Sequence, residues 1–95
     1  MINKYKAGAN FERRLVKKFL ADGASWSART AGSHSAIDVC ALFDTHFVGC
    51  QCQINLPFSA GKGQALIEAL RGKEYCEGYL VWRGDGNKIM MEKVY

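Results

Sequence analysis

No stretch of this 95-residue sequence is long and apolar enough to span a membrane. The opening M-I-N-K-Y-K-A-G lacks the apolar core of a secretory signal, so an intracellular, reducing setting is expected. Proline occurs once, at Pro57, and no linker, internal repeat or low-complexity tract interrupts the chain. One domain covering residues 1–95 follows. The cysteines, Cys40, Cys50, Cys52 and Cys76, contain no C-x-x-C pair. Cys50 and Cys52 are separated by one residue and would point the same way along a strand. Without a secretion signal, buried free thiols are favoured over a disulfide framework or a zinc site. The two histidines, His34 and His46, form no recognisable ligand pair with a nearby cysteine or acid. His34 is left as a phosphate contact from a polar loop, and His46 as a surface residue. Acidic residues are scarce early: residues 1–35 hold seven Lys/Arg against Glu12 and Asp22 alone.

What is present is the pattern of a small globular domain, with 48% apolar residues and a net charge of +4. The basic N-terminal part favours a polyanionic partner through steering and counterion release. Phe11, Leu15, Val16, Phe19 and Leu20 recur at helical spacing and predict a helix over 9–22, stopped by Gly23. Arg13, Arg14, Lys17 and Lys18 belong to its polar side, whereas Glu12 falls inside the apolar arc. A carboxylate facing inward needs a partner, a metal or a proton.

Strands are expected over 24–30, 36–43 and 46–54, the last two joined through Asp44-Thr45 as a hairpin, with Pro57 marking the exit. A second helix is expected over 60–71, packing through Ala65, Leu66, Ala69 and Leu70 and ending at Gly72. Strands over 78–83 and 88–94 form a second hairpin around G-D-G-N. The expected order is α-β-β-β-α-β-β, an α/β fold.

Within the 36–43 strand, alternation places Asp38 with Cys40 and Leu42, opposite Ile37, Val39 and Ala41. Gln51 and Gln53, in the G-C-Q-C-Q stretch, share a face of the next strand. Hairpin pairing brings Asp38 and the two glutamines to the same end, with Glu12 above them. Oxygen donors in that arrangement suit magnesium: Asp38, Gln51 and the Cys52 backbone carbonyl, completed by Glu12 directly or through water. An ion held there would activate water and stabilise charge on a phosphodiester. The bland readings are a salt bridge for Glu12, a turn or edge role for Asp38, and edge-strand amides for the glutamines.

The arrangement resembles the PD-(D/E)xK nucleases and, within them, the archaeal-type Holliday junction resolvases. The resemblance runs from Lys6 through the second helix. G-A-N-F-E-R-R-L-V-K-K-F-L resembles the family's opening helix, where Glu12 matches the catalytic glutamate. R-T-A-G-S-H-S-A-I-D-V resembles the segment carrying a functional serine and the metal-binding aspartate, matched by Ser33 and Asp38. V-G-C-Q-C-Q-I takes the place of a segment ending E-x-K, so Gln51 matches the glutamate and Gln53 the lysine. One carboxylate and one ammonium are thereby missing, and Gln53 is a poor base without a cationic charge. Lys62 is a candidate to reach in from the second helix, and Pro57 and Phe58 fall near the family's substrate-contacting loop.

The resemblance implies a restriction-endonuclease-like mixed central sheet flanked by helices. It also implies a homodimer that resolves four-way DNA junctions with Mg2+ (or Mn2+), and a cytoplasmic setting, that of a host if the source is viral. Catalytic roles would fall to Glu12, Ser33, Asp38, Gln51 and Gln53. Arg13, Arg14, Lys17, Lys18, Arg29, His34 and Lys62 would contact DNA. The altered motif keeps two alternatives open: a nuclease-fold protein that binds branched or duplex DNA without cutting it, and a structural homodimer with no nucleic-acid role.

Overall fold

The computed structural model describes residues 4–30, 35–56 and 61–95, without the side chains of Lys4 and Tyr5. Its elements are α1 (Lys4–Ala21), β1 (Trp26–Arg29), β2 (Val39–Leu42), β3 (Phe47–Gln53), α2 (Lys62–Leu70), β4 (Cys76–Arg83) and β5 (Ile89–Lys93), with a short 3-10 turn at Asp85–Asn87 before β5. The expected α-β-β-β-α-β-β order is realised as one mixed sheet in the order β1-β2-β3-β4-β5. β1, β2 and β3 pair antiparallel, β3 and β4 parallel, and β4 and β5 antiparallel. The parallel pair requires a crossover connection, which α2 supplies.

The helices lie on opposite faces of the sheet, as the alternation of the central strands requires. Phe11, Leu15 and Phe19 of α1 join Val39, Ala41, Val48, Cys50, Cys52 and Val81 in one buried cluster. The other face of the same strands carries Gly49, Gln51, Gly78 and Leu80. α2 packs there through Leu66 and Leu70, both buried. Gly78 is needed for that approach. A Cβ at this position would come 2.8 Å from Leu70 Cδ1 and 3.2 Å from Tyr95 Cβ. Gly78→Ala is expected to lower stability by about 1–3 kcal/mol through overpacking, read from a urea unfolding curve.

Several boundaries and faces differ from the sequence expectation. α1 begins five residues earlier than 9, at Lys4, and ends as expected, with Gly23 at φ 108° and Ala24 N–H donating to the Phe19 carbonyl at 3.0 Å. Leu20, expected in the core, is 47% exposed. It lies at the far edge of the apolar arc, about 180° from Phe11, while Phe19 makes the edge-to-face contact with Phe43. Ala65 is likewise exposed, leaving Leu66 and Leu70 to seat α2.

β2 starts at Val39 rather than 36, because the chain bends through Ala36–Asp38. The bend also breaks the expected alternation. Ile37 lies over Gly49, where an added Cβ would meet Ile37 Cδ1 at 3.1 Å, and not with Val39 and Ala41 on the α1 face. All four cysteines are free, and Cys40, Cys50 and Cys52 are buried. Burial raises the Cys50 thiol to about 12 and also pushes Cys52 up, so both are inert packing groups.

Candidate active site at the carboxyl end of β3

Asp38 sits just outside β2 but is held on both sides by backbone pairing. Its N–H donates to the Cys50 carbonyl at 2.7 Å, and its carbonyl accepts from Thr30 N–H at 2.9 Å. The Thr30 hydroxyl donates to the Ile37 carbonyl, which ties the bend to the end of β1. The main chain thus fixes where the carboxylate stands. Oδ2 of Asp38 accepts from Cys52 N–H at 2.9 Å and from Gln51 Nε2 at 2.8 Å. Gln51 is buried, at 7% exposure.

Glu12 reaches this end of the sheet from α1. Its Oε1 accepts from Arg29 Nε at 2.8 Å, which answers the need for a partner created by its inward direction. Gln53, one strand repeat beyond Gln51, accepts at Oε1 from Lys62 Nζ at 3.4 Å, and its amide nitrogen donates to the Asn55 carbonyl. Burial is the largest influence on Asp38 and raises its pKa above the ordinary carboxylate value. The Cys52 N–H lowers it, the Glu12 charge raises it, and Lys62 and Arg29 lower it. Two carboxylates and two cations therefore share one electrostatic neighbourhood.

The donor set fits a weakly held hard divalent ion. Glu12 and Asp38 are close enough for like-charge repulsion to raise the Asp38 pKa, a field that favours a cation between them. A turn of the Gln51 amide would offer Oε1 in place of Nε2. The set is nonetheless poor in charge: among the described residues no group of three or more His, Cys, Asp or Glu is placed to hold a metal. The Cys52 N–H donates to Asp38, and this group is separate from the Cys52 carbonyl expected to face an ion.

The remaining expected site residues divide into three sets. Ser33 and His34 lie outside the described residues, as do Pro57 and Phe58. Arg13 and Lys17 are exposed on α1, and Arg13 bonds to Asn10 Oδ1. Arg14, Lys18 and Arg29 have partners within the chain. Arg14 bonds to the side chain and carbonyl of Asn87, tying α1 to the β4–β5 connection, and Lys18 pairs with Asp22 at 2.6 Å.

Two features had no clear signal in the sequence. Arg29 stands beside Glu12 only because β1 folds back next to α1. A cleft of about 600 Å³ opens beside Glu12, lined also by Gly8, Phe11, Cys52, Gln53 and Arg83. Arg83 reaches it because β4 runs parallel to β3, with Gln53 opposite Trp82.

No protein-family model matches the sequence, and no curated protein matches it. Among solved structures the chain is similar to the Holliday junction resolvase Hjc of Archaeoglobus fulgidus, an archaeal hyperthermophile. The match has a TM-score of 0.78 at 21% sequence identity and covers 92% of this chain and 77% of that one. The α/β sheet with its two helices has the resolvase's fold.

Proposed function

We propose that the protein is a metal-dependent endonuclease selective for branched DNA, four-way junctions above all, acting as a homodimer. The observation that carries this reading is the meeting of Glu12, Asp38 and Gln51 at one end of a sheet with a resolvase's fold. A C2 dimer presents one such site to each of two symmetry-related strands of a junction. The sheet leaves a surface for a second copy. α2 packs on β3 and β4, while the same face of β1 and β2 carries the cross-strand neighbours Trp26 and Leu42, 50% and 46% exposed. Arg13 and Lys17 on α1 supply positive charge for phosphate contacts, which read the shape of the substrate rather than its bases.

Glu12, Asp38 and Gln51 Oε1 would hold Mg2+ or Mn2+, with the Cys52 carbonyl as a further oxygen. When bound, the ion supplies Lewis-acid polarisation of the phosphodiester. The chain's own residues do the rest. Asp38 is fixed by its two backbone bonds and orients the donor set. Arg29 holds Glu12 in place while the site is without DNA, and it is then positioned to move to a phosphate. Ser33 would support the substrate.

A second reading is binding without cleavage, favoured by one specific feature: Arg29 and Lys62 already offset the two carboxylates. A labelled four-way junction incubated with Mg2+ or Mn2+ separates the two. Symmetric nicking above that of linear duplex is expected. Tight, salt-sensitive junction binding with no nicking in either metal would replace the nuclease reading by the binding one. Loss of salt-sensitive binding altogether would remove both.

A further inference from the structure

We infer that Lys62, delivered from the first turn of α2 and oriented by Gln53, supplies the ammonium that acts on the scissile phosphate. The inference rests on the nuclease reading above. Gln53 ends β3 and lines the cleft beside Glu12, yet its amide carries no charge. The structure puts a charge there by another route. Lys62 is half-buried, and its Nζ donates to Gln53 Oε1 at 3.4 Å. The other end of the Gln53 amide donates to the Asn55 carbonyl. Gln53 is therefore held from both sides and acts as a positioning residue, steering the lysine. The long 3.4 Å contact is weak enough for the ammonium to exchange to a phosphate oxygen.

Three further observations agree. Through Gln53, Lys62 stands at the carboxyl end of β3, the same end at which Gln51 Nε2 and Cys52 N–H bond the Asp38 carboxylate. A lysine at the first position of a helix opposes the macrodipole. The first turn of α2 contains no acidic residue to offset it, and α2 has no side-chain cap at its N-terminus. The placement is unfavourable for the helix. Finally, no carboxylate pairs with Lys62 within ion-pair distance among the described residues; its Nζ instead meets the neutral amide of Gln53.

The test uses single-turnover cleavage of a four-way junction, junction affinity measured without metal, and thermal unfolding to establish that each variant folds. Lys62→Gln is expected to lower the cleavage rate by about 100-fold or more, the scale of removing a charge-stabilising group. Junction affinity should stay within about threefold, and Lys62→Arg should retain more activity than Lys62→Gln. Adding Gln53→Lys to Lys62→Gln returns an ammonium to the strand and is expected to recover at least about tenfold of the lost rate. Cleavage unchanged by Lys62→Gln overturns the inference and leaves the nuclease reading standing. A rate loss matched by an equal loss of junction affinity also overturns it, since Lys62 would then be a binding residue. No cleavage by the unaltered protein in Mg2+ or Mn2+ overturns both together.

Discussion

Asp38→Asn is expected to reduce junction cleavage by roughly 10²–10³-fold while raising the thermal midpoint of the protein at neutral pH. The two effects have one cause. Burial and the nearby Glu12 charge raise the Asp38 pKa above its ordinary value of 3.8, so the folded chain holds this proton more tightly than the unfolded chain does. The stability associated with the group is therefore fully present below 3.8 and is lost as pH rises through the raised value. At neutral pH the carboxylate is ionised and costs stability. An asparagine removes that cost. With its oxygen in the place of Oδ2, it still accepts from both Cys52 N–H and Gln51 Nε2. Each kcal/mol recovered would appear as a rise of about 4–8 °C for a chain of this size. The gain should shrink as pH falls toward the unfolded carboxylate range, because the wild-type residue then becomes protonated. A variant that loses cleavage and also loses stability at neutral pH would mean that the Cys52 and Gln51 bonds outweigh burial. Asp38 would then be a structural anchor rather than a strained functional group.

The fold and the site were legible in the sequence to different degrees, for physical reasons. Helical spacing in α1, the Asp44-Thr45 turn and the Gly23 stop are local patterns, and the elements they predict form in the expected order. The proximity of Asp38 to Gln51 was also legible, since hairpin pairing and alternation are enough to bring them together. What they do to each other was not. The sequence suggested two oxygen donors facing a common ion, whereas the side chains bond directly to one another. The bend at Ala36–Asp38 was likewise hidden, because A-I-D-V-C-A-L-F reads as uninterrupted strand. The Thr30 hydroxyl that holds it, by donating to the Ile37 carbonyl, belongs to a different segment, and no local pattern announces that bond. Arg29 looked like one more exposed cation for DNA. Its place beside Glu12 depends on the packing of α1 against the edge strand, a tertiary fact. Lys62 was named through the resemblance as a candidate to reach in from the second helix, with no partner assigned to it. The parallel pairing of β3 with β4 requires a crossover, and that crossover carries Lys62 to Gln53.

Gln51→Glu is expected to make the metal-free protein less stable and its stability far more responsive to Mg2+. Gln51 is buried and donates to Asp38 Oδ2 at 2.8 Å. A glutamate replaces that donor with a second acceptor at hydrogen-bonding distance from a carboxylate. Losing the bond and leaving a buried acceptor unsatisfied costs about 1–3 kcal/mol, and the like charges add to it. The pair avoids full repulsion only by sharing a proton, so one carboxyl will titrate well above the ordinary range. The metal-free midpoint should therefore fall by several degrees at neutral pH and recover as pH is lowered. A divalent cation reverses the sign of the effect. With Glu12 and Asp38 the variant offers three carboxylates in place of two, and stability gained by binding grows as RT ln(1 + [L]/Kd). Titrating Mg2+ while following the thermal midpoint should give a steeper rise for the variant than for the unaltered chain, with monovalent salt at matched ionic strength as the control. The measurement reads the donor set without requiring cleavage. Equal Mg2+ responses in the two proteins would mean that position 51 does not face the ion, and the metal site assigned to Glu12, Asp38 and Gln51 would have to be abandoned.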